Sequence, residues 1–248
     1  MIKKEDKIIT FLFMGNKAKE FINTWQGQIL DDFNDLQGDS FDKYEVEFLQ
    51  YDSLIEEDNK REYVLIIDLT DEEIGKAIDK VNNISIYSII NMYKEENDKN
   101  IKKLENIGNI YVKYDDSETL RRIIMMFMKV ISPPVYMGDM FESVDLKNII
   151  SNRQLYVDNL SKDLSNKLNG SLFDRIVNKI QNEYNFREFS VIILLLYVGS
   201  NFSIFQMNDI MYEVHKKCKE DSEVMEFSAH SEKALLPDDI ELLILKGL

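Results

Sequence analysis

The chain has one cysteine, two histidines and three prolines in 248 residues, and each scarcity removes a class of explanation. A lone Cys218 excludes an internal disulfide framework and fits a reducing compartment. His215 and Cys218 share one helical stretch and His230 is the only other histidine, so a four-ligand structural zinc site lacks donors. Cys218 therefore reads as a small packed or surface residue. With nine glycines and three prolines there is little loop punctuation and no low-complexity linker. Basic residues are also in deficit, 30 Lys and Arg against 45 Asp and Glu, for a formal net charge of −15. A phosphate-backbone binder needs a basic surface, so nucleic acid is a poor primary partner. An anionic membrane surface is disfavoured for the same reason. Long apolar runs are missing too. The stretch Ile8–Met14 is short, has charge on both sides and is followed by no small-residue cleavage site, so it reads as a first strand. No segment has the length of a membrane span, and the expectation is a soluble cytoplasmic protein.

What is present supports a substantial core: 44% apolar residues, with 14 Phe and 12 Tyr. A strand from Lys7 to Met14 leads through Gly15 into a helix with Ala18, Phe21, Ile22, Trp25 and Ile29 on one face. The stretch from Asp31 to Asp42, dense in Asp, Gly and Asn, reads as a loop. Further strands are expected at Tyr44 to Tyr51, Glu62 to Leu69, Ile84 to Asn91 and Asn109 to Tyr114, with a helix opened by a Thr70/Glu73 capping box between. Lys94 to Asn106 reads as a charged helical excursion. Strands alternating with helices predict a doubly wound, mostly parallel sheet. A helix from about Ser117 to Ile131 turns Leu120, Ile124, Phe127 and Met128 inward and stops at Pro133–Pro134. From Asp145 to Ile180 the pattern is helical, with Ser171 as a cap and Phe173, Ile176, Val177 and Ile180 at core spacing.

The last fifth of the chain is the most informative. VIILLLYV, from Val191, is a buried strand bounded by Gly199. Ser203 and Gln206 form a capping box for a helix whose inner face carries Met207, Ile210, Met211 and Val214. Lys216, Lys217 and Lys219 stand where a helix C-terminus favours cations. Two strands follow, EVMEFSA and IELLILKG, around a turn with Pro237, Asp238 and Asp239. Strand, helix, strand, strand makes a compact α+β unit.

The stretch VIILLLYVGSNFSIFQMNDIMYEV, with VMEFSAHSEKALLPDDIELLILKG after it, resembles the C-terminal domain of the bacterial division GTPase FtsZ, a tubulin homologue. The resemblance implies an α/β N-terminal domain over 1–116, a central helix and loop over 117–150, and an α+β C-terminal domain over 151–248. FMGNKAKEFINTW resembles the family's first Gly-rich turn and helix, with only Gly15 left of the glycines. VEFLQYDS resembles its second strand and loop, where Asp52 stands at an acidic position.

The family's chemistry rests on a phosphate loop, G-G-G-T-G-[ST]-G, after the strand that EYVLIIDL resembles. Glycines let backbone approach the phosphates, and free N–H groups at a helix N-terminus hold the anion. Here the loop reads Asp68-Leu-Thr-Asp-Glu-Glu-Ile-Gly75, in which only Gly75 is a glycine. Asp71, Glu72 and Glu73 would repel a triphosphate by roughly several kcal/mol at an effective dielectric of ~20. Thr70 and Glu73, as a cap, would also occupy donors a phosphate needs. A magnesium site on these carboxylates is the competing reading, but acids in a helix's first turn need no ion to explain them.

SVDLKNI resembles the family's Asn-x-Asp-x-x-Asp loop, which positions the hydrolytic water in the next subunit's site. In that alignment Ser143 replaces Asn, Asp145 survives and Asn148 replaces the second Asp. By itself, Asp145 reads as a helix cap. Met125, Met126 and Met128 read as core filling, with an adaptable partner groove as the alternative. No G-x-S-x-G, Walker A, G-x-G-x-x-G or H-E-x-x-H motif occurs.

The expectation is therefore a non-enzymatic FtsZ/tubulin-like protein, without cofactor, that binds protein: itself as a homo-oligomer, or a true FtsZ or other cytoskeletal subunit. The degenerate nucleotide positions are Gly15, Asp52, Thr70 and Gly75, and the interface candidates are Asp145, Asn148, Met125 and Met128. An active polymerising GTPase with a rebuilt phosphate loop is one alternative. An unrelated α/β enzyme with a pocket near Gly15, Asp52 and Asp68 is the other.

Overall fold

The computed structural model describes residues 8–37, 45–50, 61–68, 86–93, 109–113, 116–131, 150, 153–164, 171–230 and 240–247. The chain divides into two compact units, Met1–Gln154 and Leu155–Leu248.

In the first unit, β1 (Ile8–Met14), β2 (Glu45–Gln50), β3 (Arg61–Asp68), β4 (Ile86–Tyr93) and β5 (Asn109–Lys113) pair in the order β2-β1-β3-β4-β5. Every pairing is parallel. A parallel sheet is covered on both faces, which is why its strands are continuous apolar runs rather than alternating ones. Ile9, Phe11 and Leu12 in β1 and Val64 to Ile67 in β3 have no exposed surface. The edge strand β2 is only half-buried, with Phe48 stacked on Phe11 at 5.4 Å between ring centroids. Chain order reverses between β1 and β3, because β2 lies on one side of β1 and β3 on the other. In doubly wound sheets the crevice beyond the strands' C-terminal ends at such a reversal is where ligands bind.

Helix α1 (Asn16–Gln37) buries Ala18, Phe21, Ile22 and Ile29, as its apolar spacing predicts. It runs through 31–37, where the Asp, Gly and Asn content predicts a loop. Asp32 explains part of this extension. It forms an ion pair with Arg121 of α2 (Ser117–Ile131), a guanidinium that also bonds Glu118 and lies over the Trp25 ring at 5.6 Å. A residue that reads as loop-forming thus joins two helices. The helix expected as a separate central element packs here, within the first unit, with Leu120, Ile124, Phe127 and Met128 buried.

In the second unit the order is β6-β9-β7-β8, from β6 (Gln154–Asn159), β7 (Val191–Val198), β8 (Glu223–His230) and β9 (Ile240–Gly247). Strands β6 and β7 flank β9 antiparallel, and β8 runs parallel to β7. Helices α3 (Leu160–Leu164), α4 (Leu172–Glu183) and α5 (Ile204–Lys217) complete it. Ile192, Leu194, Leu196 and Val198 pack with Ile176 and Ile180 of α4 and with Ile210 and Val214 of α5. Strand β6 corrects the helical expectation over Asp145 to Ile180. Of its residues only Leu155 is fully buried, and its pairing with β9, Leu155 opposite Gly247, is remote in sequence. No helix among the described residues is long and apolar enough to cross a membrane.

Candidate functional site

The reversal between β1 and β3 is built by two short passages of chain. Strand β1 ends at Met14, and Gly15 takes a positive φ of 89°, a conformation that glycine adopts without a Cβ clash. The turn aims α1 back across the sheet, and the Gly15 carbonyl accepts the first helical bond, from Lys19 N–H, at 3.1 Å. No acid stands in the first turn of α1, so this helix lacks a charge of its own to meet its partly positive N-terminus.

That charge comes from the neighbouring strand. Asp68, the last residue of β3, is 1% exposed, and its Oδ2 accepts a hydrogen bond from the Lys17 backbone N–H at 2.8 Å. The register sets Met14 opposite Ile67, so Asp68 lies one residue beyond the paired end of β1, level with the opening of α1. A carboxylate accepting from a helix's first N–H groups occupies the position an anionic ligand would take. A phosphate within ~4 Å of that carboxylate would meet roughly 4 kcal/mol of repulsion at an effective dielectric of ~20. The Lys17 ammonium is engaged with Glu20 at 2.7 Å, on the exposed side of the helix.

Of the predicted nucleotide positions, Gly15 lies at this crevice, and Asp52, Thr70 and Gly75 fall outside the described residues. So do the carboxylates Asp71, Glu72 and Glu73, and the interface candidates Asp145 and Asn148. Met125 and Met128 are 1% and 0% exposed and Met126 is 2% exposed, which corrects the groove reading: the three thioethers are core residues. Asp68 is the residue whose role the sequence reading missed. Its signal was an acid closing an otherwise apolar strand, where water is scarce and a carboxylate needs a donor.

Elsewhere the expected caps are in place. Ser171 accepts from Asp174 N–H at 3.1 Å, and Ser203 and Gln206 complete a reciprocal capping box at the start of α5. The Cys218 thiol donates to the Val214 carbonyl at 3.1 Å, and burial pushes its pKa up to about 11. A thiol so raised is a poor nucleophile and a poor metal ligand at neutral pH. Among the described residues no group of His, Cys, Asp and Glu is arranged to hold a metal ion.

These two units, a parallel sheet reversing at β1/β3 and a mixed sheet with three helices packed into its core, have the FtsZ/tubulin-like fold. The FtsZ dimer from M. jannaschii, described as empty, matches with a TM-score of 0.60 at 8% identity, over 100% of this chain and 89% of that one. The GTPγS-bound CetZ2 protofilament from Haloferax volcanii matches with a TM-score of 0.53 at 8% identity, over 97% and 92%. The CetZ from Methanosaeta thermophila strain DSM 6194 matches with a TM-score of 0.51 at 9% identity, over 96% and 86%. Likeness at this identity is likeness of fold. No family model matches the sequence, and no curated protein is similar to it.

Proposed function

We propose that this chain is an FtsZ/tubulin-like protein that works without GTP, as a protein-binding or assembly module. The observation that carries the reading is the Asp68 carboxylate bonded to the first turn of α1, at the sheet reversal. A fold that holds an anion there needs a free N–H and no competing negative charge. This chain supplies the negative charge itself, and the sequence that follows adds Asp71, Glu72 and Glu73. Assembly draws support from the matched proteins, whose names include a dimer and a protofilament.

The alternative is a divergent polymerising GTPase. It is favoured by the nucleotides named in matched structures, GDP in one CetZ and GTPγS in another. One set of measurements separates the two. The purified protein is analysed for retained nucleotide, melted with and without GTP, GDP and magnesium, and assayed for phosphate release. The expected result is no nucleotide, no shift in Tm and no release. Retained guanine nucleotide, or light scattering that depends on GTP, overturns the proposal in favour of the GTPase.

A further inference from the structure

The second unit contains a cleft of about 610 Å³ at the C-terminal ends of α4 and α5. Its size is that of a ligand or side-chain binding pocket rather than of a single ion's site. Among the described residues, three cations face it, Arg187, Lys216 and Lys217, with Gln181 and Asn185 as amide neighbours. The one carboxylate among them, Glu213, is already committed. It is 8% exposed and accepts from Lys216 Nζ at 2.9 Å, and that hydrogen bond is the main cause that holds its pKa below the usual carboxylate range. Arg187 and Lys217 have no side-chain hydrogen bond or ion pair among the described residues.

A helix C-terminus attracts cations by itself, but that accounts poorly for this group. The last carbonyls of α5 are already met by backbone and thiol: Phe186 N–H bonds Lys217 O, Cys218 N–H bonds His215 O and Cys218 Sγ bonds Val214 O. Arg187 is not on a helix at all. It is held at the cleft because Phe186 is anchored in the core and the Arg187 N–H donates to Asn185 Oδ1. A guanidinium beside an ammonium suits a pair of carboxylates.

The same region presents such a pair. Cys218 is in extended backbone, φ −84° and ψ 167°, so the chain leaves the axis of α5 before Glu220 and Asp221. Both are exposed, in the turn ahead of β8, and neither has a side-chain partner among the described residues. Two patches of opposite sign, close in sequence on one unit, are what a two-fold pairing needs, since each copy then offers its neighbour both halves of the contact.

We propose that the cleft lined by Arg187, Lys216 and Lys217 receives the acidic turn Glu220–Asp221 of a second copy of this chain, in a two-fold pair where each copy docks into the other. This rests on the assembly reading above and names its partner and surface. The contact also lets a chain of net charge −15 approach itself, because it places positive charge where the two copies meet.

The test is sedimentation equilibrium of the whole chain and two charge-reversed variants, in 0.05 M and 0.5 M NaCl. Arg187→Glu with Lys217→Glu, and separately Glu220→Lys with Asp221→Lys, should each weaken self-association by roughly tenfold or more, and high salt should weaken the unaltered pair. The two variants mixed in equal amounts should recover it, because reversed cleft then meets reversed turn. The second variant makes the chain less negative, so simple charge repulsion predicts stronger association where the docking predicts weaker. Variants that change nothing, or a mixture that fails to recover, overturn the docking and leave assembly standing. An unaltered chain that stays monomeric overturns both. Arg187→Ala with Lys217→Ala, milder changes at partly exposed positions, should weaken association less than the reversal and in the same direction.

Discussion

The passage from β1 into α1 and the passage from β7 into α5 both take an apolar strand through a glycine into a helix, yet the two helices are capped by different means. At α5 the cap is local. Ser203 accepts from Gln206 N–H, and the Gln206 side chain accepts in return from Ser203 N–H at 2.9 Å. At α1 no residue nearby does this, and the acceptor is Asp68, which reaches the Lys17 N–H from the end of another strand. A local cap stabilises its helix whatever the rest of the chain does. A distant carboxylate ties the helix to the sheet, and at a sheet reversal it also takes the place where an anion would sit.

The comparison can be broken by unfolding the altered proteins in urea and following each helix by amide hydrogen exchange. Asp68→Ala should have the largest effect, about 3 kcal/mol, because the part-buried bond from the Lys17 N–H loses a charged acceptor that is itself only 1% exposed. Exchange at Lys17 should accelerate most. Gly15→Ala should follow at about 1.5 kcal/mol, from forcing a Cβ into a left-handed φ. Ser203→Ala should cost about 1 kcal/mol, the usual loss for a solvent-accessible cap. If Ser203→Ala proves costlier than Asp68→Ala, the distant acceptor is not what holds the start of α1.

Two smaller effects depend on pH within the second unit. Burial raises the Glu226 carboxyl above its ordinary value, so the folded state favours the protonated form. The contribution is fully present below the unfolded pKa and is lost as pH rises through the raised folded value. Glu226→Gln should therefore raise Tm at pH 7 and leave it unchanged near pH 4. Smallest of all, the Cys218 thiol should react slowly with a disulfide reagent at pH 7.5, and its rate should climb as pH approaches about 11.

Much of the fold was legible because its signals are local. The run VIILLLYV could be little else than a buried strand, and Ser203 with Gln206 marked the start of α5. The spacing of Leu120, Ile124, Phe127 and Met128 gave the inner face of α2. Strand β6 escaped because QLYVDN has one buried residue and a partner at the far end of the chain. The last turns of α1 escaped because Asp31 and Asp32 read as loop formers until Arg121 is brought beside Asp32. At the candidate site, Gly15 was legible from its place after an apolar strand, and Asp68 was visible only as an odd ending to one.

The order of residues by itself determined the apolar runs, the helical faces and the local caps, because each depends on neighbours within a turn or two. It also left Gly75 as the only glycine in the stretch Asp68-Leu-Thr-Asp-Glu-Glu-Ile-Gly75. Only the tertiary structure decided which helix end Asp68 would meet, and that Met125 and Met128 would be core. It alone set Arg187, Lys216 and Lys217 around one cleft. Parallel pairing and helix packing bring together residues far apart in the chain, and a carboxylate's partner depends on what lies within 3 Å of it in space.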